Sequence, residues 1–137
     1  MSEFEPTLRE LLSAGHTARF LASGDSMYPA IHSGDYLHIV PCGMSELRRG
    51  DVVLTATDRG LTAHRIVRIS ERGGAQQIIT RGDNSLRRDR PVGAADVLGR
   101  ITRVDGSANV RKSGPESATI IRFVAVVVRR LRARFQQ

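Results

Sequence analysis

Six short runs rich in Ile, Val, Leu and Thr, set between turn-forming clusters, constrain this chain more than any other feature. They lie near residues 18–22, 36–40, 52–56, 61–69, 77–81 and 97–104. The clusters HSGDY, RRGD, TDRG, ERGG and DRPVG punctuate them. Runs of this length, bounded by Gly, Pro and Asp, read as strands. Aromatic residues make up 4% of the chain and tryptophan is absent, so aliphatic side chains must build the core. Their β-branched share favours sheet. A short helix over residues 6–14 is expected ahead of the first strand. At 137 residues the chain fits one independent core that buries roughly two-thirds of its unfolded surface. The expected fold is therefore mostly β over residues 1–104, with short N-terminal and C-terminal helices.

Residues 105–137 read as a second segment. DGSANVRKSGPES has the composition of a connector, and TIIRFVAVVVRRLRARF follows it as an apolar and basic helix. Its unbroken apolar run covers only residues 123–128, far short of the ~20 residues that span a bilayer. Ile120, Val124, Val127 and Leu131 fall at helical spacing, with Arg129, Arg130, Arg132 and Arg134 at the end. Such a helix suits peripheral contact with an anionic membrane surface or docking on the body of the domain. Residues 1–20 contain Glu3, Glu5, Arg9 and Glu10 and lack the apolar run of a leader. A cytoplasmic or peripheral-membrane location is expected.

A net charge of +7 raises nucleic acid as a partner. The charges are scattered outside the C-terminal cluster and Arg87, Arg88 and Arg90, and no helix-turn-helix, zinc or RNA-binding pattern is present. No specific nucleic acid, metal or cofactor is expected. The lone cysteine, Cys42, excludes an internal disulfide.

Four stretches carry chemistry: SGDSMYPA (23–30), RRGDVVL (48–54), TAHRIV (62–67) and RGDNSLRRD (81–89). Ser26 follows Gly24 and Asp25 and precedes Pro29, so a turn can hold its hydroxyl exposed. A serine hydroxyl becomes a nucleophile only beside a group that accepts its proton near neutral pH. Twenty of the 21 basic residues are arginine, which keeps its proton in proteins. The one lysine, Lys112, stands in an irregular stretch beside Ser113, Gly114 and Pro115. Histidine is the remaining base. His16 and His32 sit in loops, and His38 reads as a strand residue that packs or makes a surface hydrogen bond. His64 stands in the strand-like LTAHRIVRIS, where side-chain direction is fixed. Asp89 or Asp83 would orient the imidazole, and backbone amides near Asp25 and Ser26 would hold a developing oxyanion. Arg65, beside the base, suits a salt bridge that holds the strand.

These stretches, in this order, resemble the serine peptidases of the type I signal peptidase and LexA-type group. SGDSMYPAI looks like the nucleophile box, with Met27 after the serine, and implies Ser23, Gly24, Asp25 and Met27 as residues of the oxyanion and substrate side; RRGDVVL looks like the turn into a core strand. TAHRIV is similar to the base-bearing strand. Its histidine resembles the signal peptidases of the endoplasmic reticulum, archaea and spore-formers. RGDNSLRRD looks like the last box. By position the resemblance implies Asp89 as the histidine-orienting acid and Asp83 as the Gly-Asp-Asn aspartate that supports the site. Gly24 stands where many bacterial signal peptidases place a serine hydroxyl, leaving Ser23 or backbone to serve. The resemblance spans about residues 17–104. It implies a serine endopeptidase that processes leader or signal-like peptides, with peptide or protein as its partner. The alternative is an inactive relative that binds a peptide as a regulator or chaperone.

Overall fold

A computed structural model describes residues 4–58 and 60–106. Helix α1 (Phe4–Ser13) leads into seven strands: β1 (Ala18–Leu21), β2 (Tyr36–Val40), β3 (Val52–Thr57), β4 (Gly60–Arg72), β5 (Ala75–Arg81), β6 (Val92–Gly93) and β7 (Val97–Asp105). They form one sheet in the order β1-β2-β7-β3-β4-β5-β6. Every neighbouring pair runs antiparallel. Short 3₁₀ turns occur at Met44–Glu46 and Ala94–Asp96. The domain is thus mostly β, as expected.

Period-two alternation along the strands divides the apolar residues between two clusters. β3 serves both: Leu54 and Ala56 enter the first, and Val53, one residue before Leu54, enters the second. The first cluster is closed by Leu8 and Leu12 of α1, one helical turn apart, and by Met27 and Ile31. The second joins Val53 to Ile66 of β4, Ile78 of β5 and Val92 of β6. It therefore packs together the strands on which His64 and Asp89 depend.

The observed strands depart from the expected ones at their ends. The ERGG turn is only two residues long, with Arg72 paired to Ala75, so β4 and β5 run closer to one another than their apolar patterns suggested. β6 falls inside a stretch read as the turn DRPVG. Val92 is nevertheless buried, and the two residues pair with Gln77 and Ile78 at the sheet edge. Pro91 and Gly93 mask so short a strand. β7 continues to Asp105, one residue past the boundary expected at 104. The expected C-terminal helix lies outside the described residues. Among the described residues no helix is long and apolar enough to cross a membrane.

Two turns share one device. The Arg48 amide donates to the Asp51 carboxylate at 2.9 Å, and the His32 amide donates to that of Asp35 at 2.7 Å. Asp35 and Gly34 then grip both sides of Ala22, whose amide reaches the Asp35 carbonyl while its carbonyl accepts from Gly34, each at 2.8 Å. The chain between β1 and β2 is thereby pinned at its neck as a loop that carries Ser26.

Ile66 is almost wholly buried at the centre of the second cluster. Ile66→Ala is expected to cost about 2–5 kcal/mol of unfolding free energy, read from the urea midpoint.

Candidate active site

β4 holds His64 opposite Val53 of β3, and the side chain is only 12% exposed. Sheet pairing fixes where its ring can point. β5 leaves the sheet after Arg81, paired to Arg65, so Gly82 comes abreast of His64 just past the last pair. The loop of residues 82–91 that follows contains turns and bends but neither strand nor helix.

Ser26 arrives from the other side, on the loop between β1 and β2. Met27 and Ile31 bury their side chains in the first cluster, and the Ile31 amide donates to the Met27 carbonyl at 3.0 Å. Their burial leaves Ser26 facing outward and exposed. Its hydroxyl lies 3.0 Å from Nε2 of His64. On the far side of the ring, Nδ1 lies 2.6 Å from Oδ2 of Asp89. Oδ2 also accepts the Thr80 hydroxyl at 2.7 Å. Serine, imidazole and carboxylate therefore form one continuous chain of hydrogen bonds. Chemically, such a chain can pass a proton from hydroxyl to imidazole while the carboxylate holds the ring.

The 82–84 turn closes on the serine loop. A Cβ added at Gly82 would lie 2.5 Å from the Ser26 carbonyl oxygen and 3.0 Å from His64 Nε2, so only glycine permits this approach. The Asn84 amide donates to that same Ser26 carbonyl at 2.8 Å, and its side-chain amide donates to the Asp25 carbonyl at 3.1 Å. Because a trans peptide is planar, a carbonyl of Asp25 turned toward Asn84 directs the Ser26 N–H the opposite way. Neither the Asp25 nor the Ser26 amide makes a hydrogen bond among the described residues. Gly24 enters this turn at φ +82, a left-handed conformation that strains residues bearing a Cβ.

The other sequence-derived candidates fall into different places. Ser23 is half-buried, while Gly24 and Asp25 are exposed at the loop surface. Met27, read as part of the substrate side, is 4% exposed and accepts the Asp83 amide through its sulfur at 3.3 Å. Asp83 turns away from the imidazole. Its two oxygens take a bidentate pair of bonds from Arg65, 2.9 Å from Nε and 2.8 Å from Nη2. Arg65 also donates to the Gly50 carbonyl at 2.9 Å, joining the RRGD turn, β4 and the 82–84 turn. The guanidinium holds the Asp83 carboxyl below the usual carboxylate range, against a smaller opposing effect of burial.

A second histidine–carboxylate pair, His38 with Asp105, spans β2 and β7 at 2.7 Å. Arg103, the first cause, and His38 bring the Asp105 pKa down to about 2. Among the described residues no serine meets the other nitrogen of His38. Gly82, Asn84 and Thr80 were not singled out from the sequence as site residues. The signal for the first two was the Gly-Asp-Asn triplet, whereas nothing in the pattern around Thr80 points to Asp89.

A family model described as Peptidase S24-like matches residues 2–102. The chain belongs to the Peptidase S24-like family. This places the S24-like domain in the LexA and signal-peptidase-like serine peptidase superfamily, in keeping with its β-rich fold. The match covers every strand but the last residues of β7. Comparison with curated proteins returned no match.

Two outcomes follow from the geometry. Gly82→Ala should leave the fold intact but push Ser26 and His64 apart, lowering any hydrolytic rate by about 100-fold; circular dichroism and turnover, measured together, separate these effects. Because the folded pKa of Asp83 is depressed, the stability it contributes is present above its unfolded value of ~3.9 and is lost as pH falls through the folded value. Asp83→Asn should therefore be less stable than wild type near neutral pH, with the gap closing as denaturation is repeated at successively lower pH below ~4.

Proposed function

We propose that this S24-like chain is a serine endopeptidase that cleaves leader or signal-like peptides by a Ser26–His64–Asp89 mechanism. The observation that carries the reading is the unbroken hydrogen-bond chain from the Ser26 hydroxyl through His64 to Asp89. Ser26 Oγ attacks the scissile carbonyl while His64 Nε2 takes its proton. The carbonyl oxygen becomes an oxyanion, for which the Ser26 amide, without a hydrogen bond among the described residues, offers a donor. His64 then returns the proton to the leaving amine as the carbon–nitrogen bond breaks, leaving an acyl ester on Ser26. Water, deprotonated by the same imidazole, hydrolyses that ester and restores the hydroxyl.

Through both steps Asp89 keeps its charge, holding the Nδ1–H tautomer and stabilising the imidazolium. Asp83 supports the site at one remove, through Arg65. Exposure of Ser26 on a loop suits an extended peptide as substrate, and the signal-peptidase likeness favours cleavage after a small residue. The apolar and basic stretch of residues 120–134, read from sequence alone, suits peripheral membrane contact near such substrates.

The test compares protein N-termini in cells expressing wild type or Ser26→Ala at matched levels. Termini present with wild type and lost in the variant are expected, ending in a common residue class on the newly cut side. His64→Ala should lower turnover by about 10⁶-fold and Asp89→Asn by about 10⁴-fold. Identical termini in the two cell populations, with both proteins folded, would sink the peptidase reading and favour a peptide-binding relative.

A further inference from the structure

We propose that Thr80 is the positioning residue for the acid of this site, a role that rests on the peptidase reading above. Asp89 needs one. It comes from the loop of residues 82–91, which has no strand or helix to hold it, and its side chain is 38% exposed. An aspartate so placed can rotate about its side-chain bonds, and water competes for both oxygens. Thr80 supplies the constraint from two directions. Its carbonyl accepts the Asp89 amide at 2.8 Å, and its hydroxyl donates to Asp89 Oδ2 at 2.7 Å.

The choice of oxygen matters. Oδ2 is the same atom that takes the bond from His64 Nδ1. Two donors that converge on one oxygen fix where that oxygen sits, so the imidazole meets an acceptor at one place. Thr80 can impose that orientation because it is itself immobile. It is 3% exposed, lies in β5 opposite Ile66, and has the restricted χ1 of a β-branched side chain. β5 thus extends the rigidity of the sheet by one residue contact into a loop that lacks it. The carbonyl contact survives any substitution at residue 80. The hydroxyl contact is separable, which makes the role testable.

Thr80→Val keeps shape and strand preference but removes the donor. Cleavage of a leader-like peptide should show kcat reduced by about 10- to 100-fold, the usual effect of losing one bond to a charged group, with KM nearly unchanged. Thr80→Ser should recover most of the rate; Thr80→Ala, which also lacks the hydroxyl, should match the valine variant and stands in for it should that protein not fold. A second readout needs no turnover: the deshielded Nδ1 proton of His64 in the proton NMR spectrum. It should be present in wild type and Thr80→Ser, and shifted or broadened away in Thr80→Val. An unchanged kcat and resonance in the folded valine variant overturns the proposal, as does absence of the resonance from wild type. A wild type without cleavage activity but with a Thr80-dependent resonance would remove the peptidase reading and leave the positioning role standing.

Discussion

The carbonyl of Ser26 accepts the Asn84 amide at 2.8 Å, and through this bond the loop between β1 and β2 is joined to the end of β5. The two segments share no strand pairing: β1 lies at one edge of the sheet and β5 near the other. Their meeting is what brings a hydroxyl to His64. The junction depends on an absence of atoms at Gly82, where a Cβ would lie within 2.5 Å of the serine carbonyl. It also depends on apolar burial, since Met27 and Ile31 anchor the serine loop in the first core cluster. Hydrophobic packing thus sets the loop's position, and hydrogen bonds set the direction of its peptide planes.

Three of the carboxylates that answer a cation or histidine, Asp83, Asp89 and Asp105, do separate work because their neighbours differ. Asp83 is saturated by the fork of Arg65, a bidentate geometry that only a guanidinium provides. It ties together three segments of chain and is unavailable to the imidazole. Asp89 has no arginine on its oxygens among the described residues. It is left to a neutral hydroxyl and the histidine ring. Asp105 resembles it in facing a histidine, but Arg103 occupies the same carboxylate and among the described residues no serine completes the chain of bonds. A histidine–aspartate pair becomes chemistry only when a nucleophile is delivered to the far nitrogen.

Much of this was readable from local pattern. Aliphatic runs between Gly and Asp turns identified six of the seven strands, because alternation and turn chemistry are local properties. β6 escaped because two residues beside a proline leave no period to detect; its existence depends on β5 offering Gln77 and Ile78 as partners. Ser26, His64 and Asp89 could be named as candidates from residue type and order. Asp89 and Asp83 could not be told apart by the chemistry of their neighbours in sequence, as both stand near arginines. Arg65 decides the matter across the sheet, and the sulfur of Met27 takes a structural part that its place beside the serine did not suggest.

The amino-acid sequence by itself determined the β-rich class of the domain, six of its seven strands and most turns, and which residues had reactive groups to offer. These follow from propensity, alternation and side-chain chemistry, all properties of neighbours along the chain. Tertiary structure alone decided which carboxylate faces the imidazole, that Thr80 grips it, and that Gly82 and Asn84 seat the serine. Those contacts join residues 9 to 59 positions apart, and a distance of 3 Å between such residues is set by how the sheet and its loops pack; the Gly-Asp-Asn triplet marks Gly82 and Asn84 along the chain but does not say what they touch.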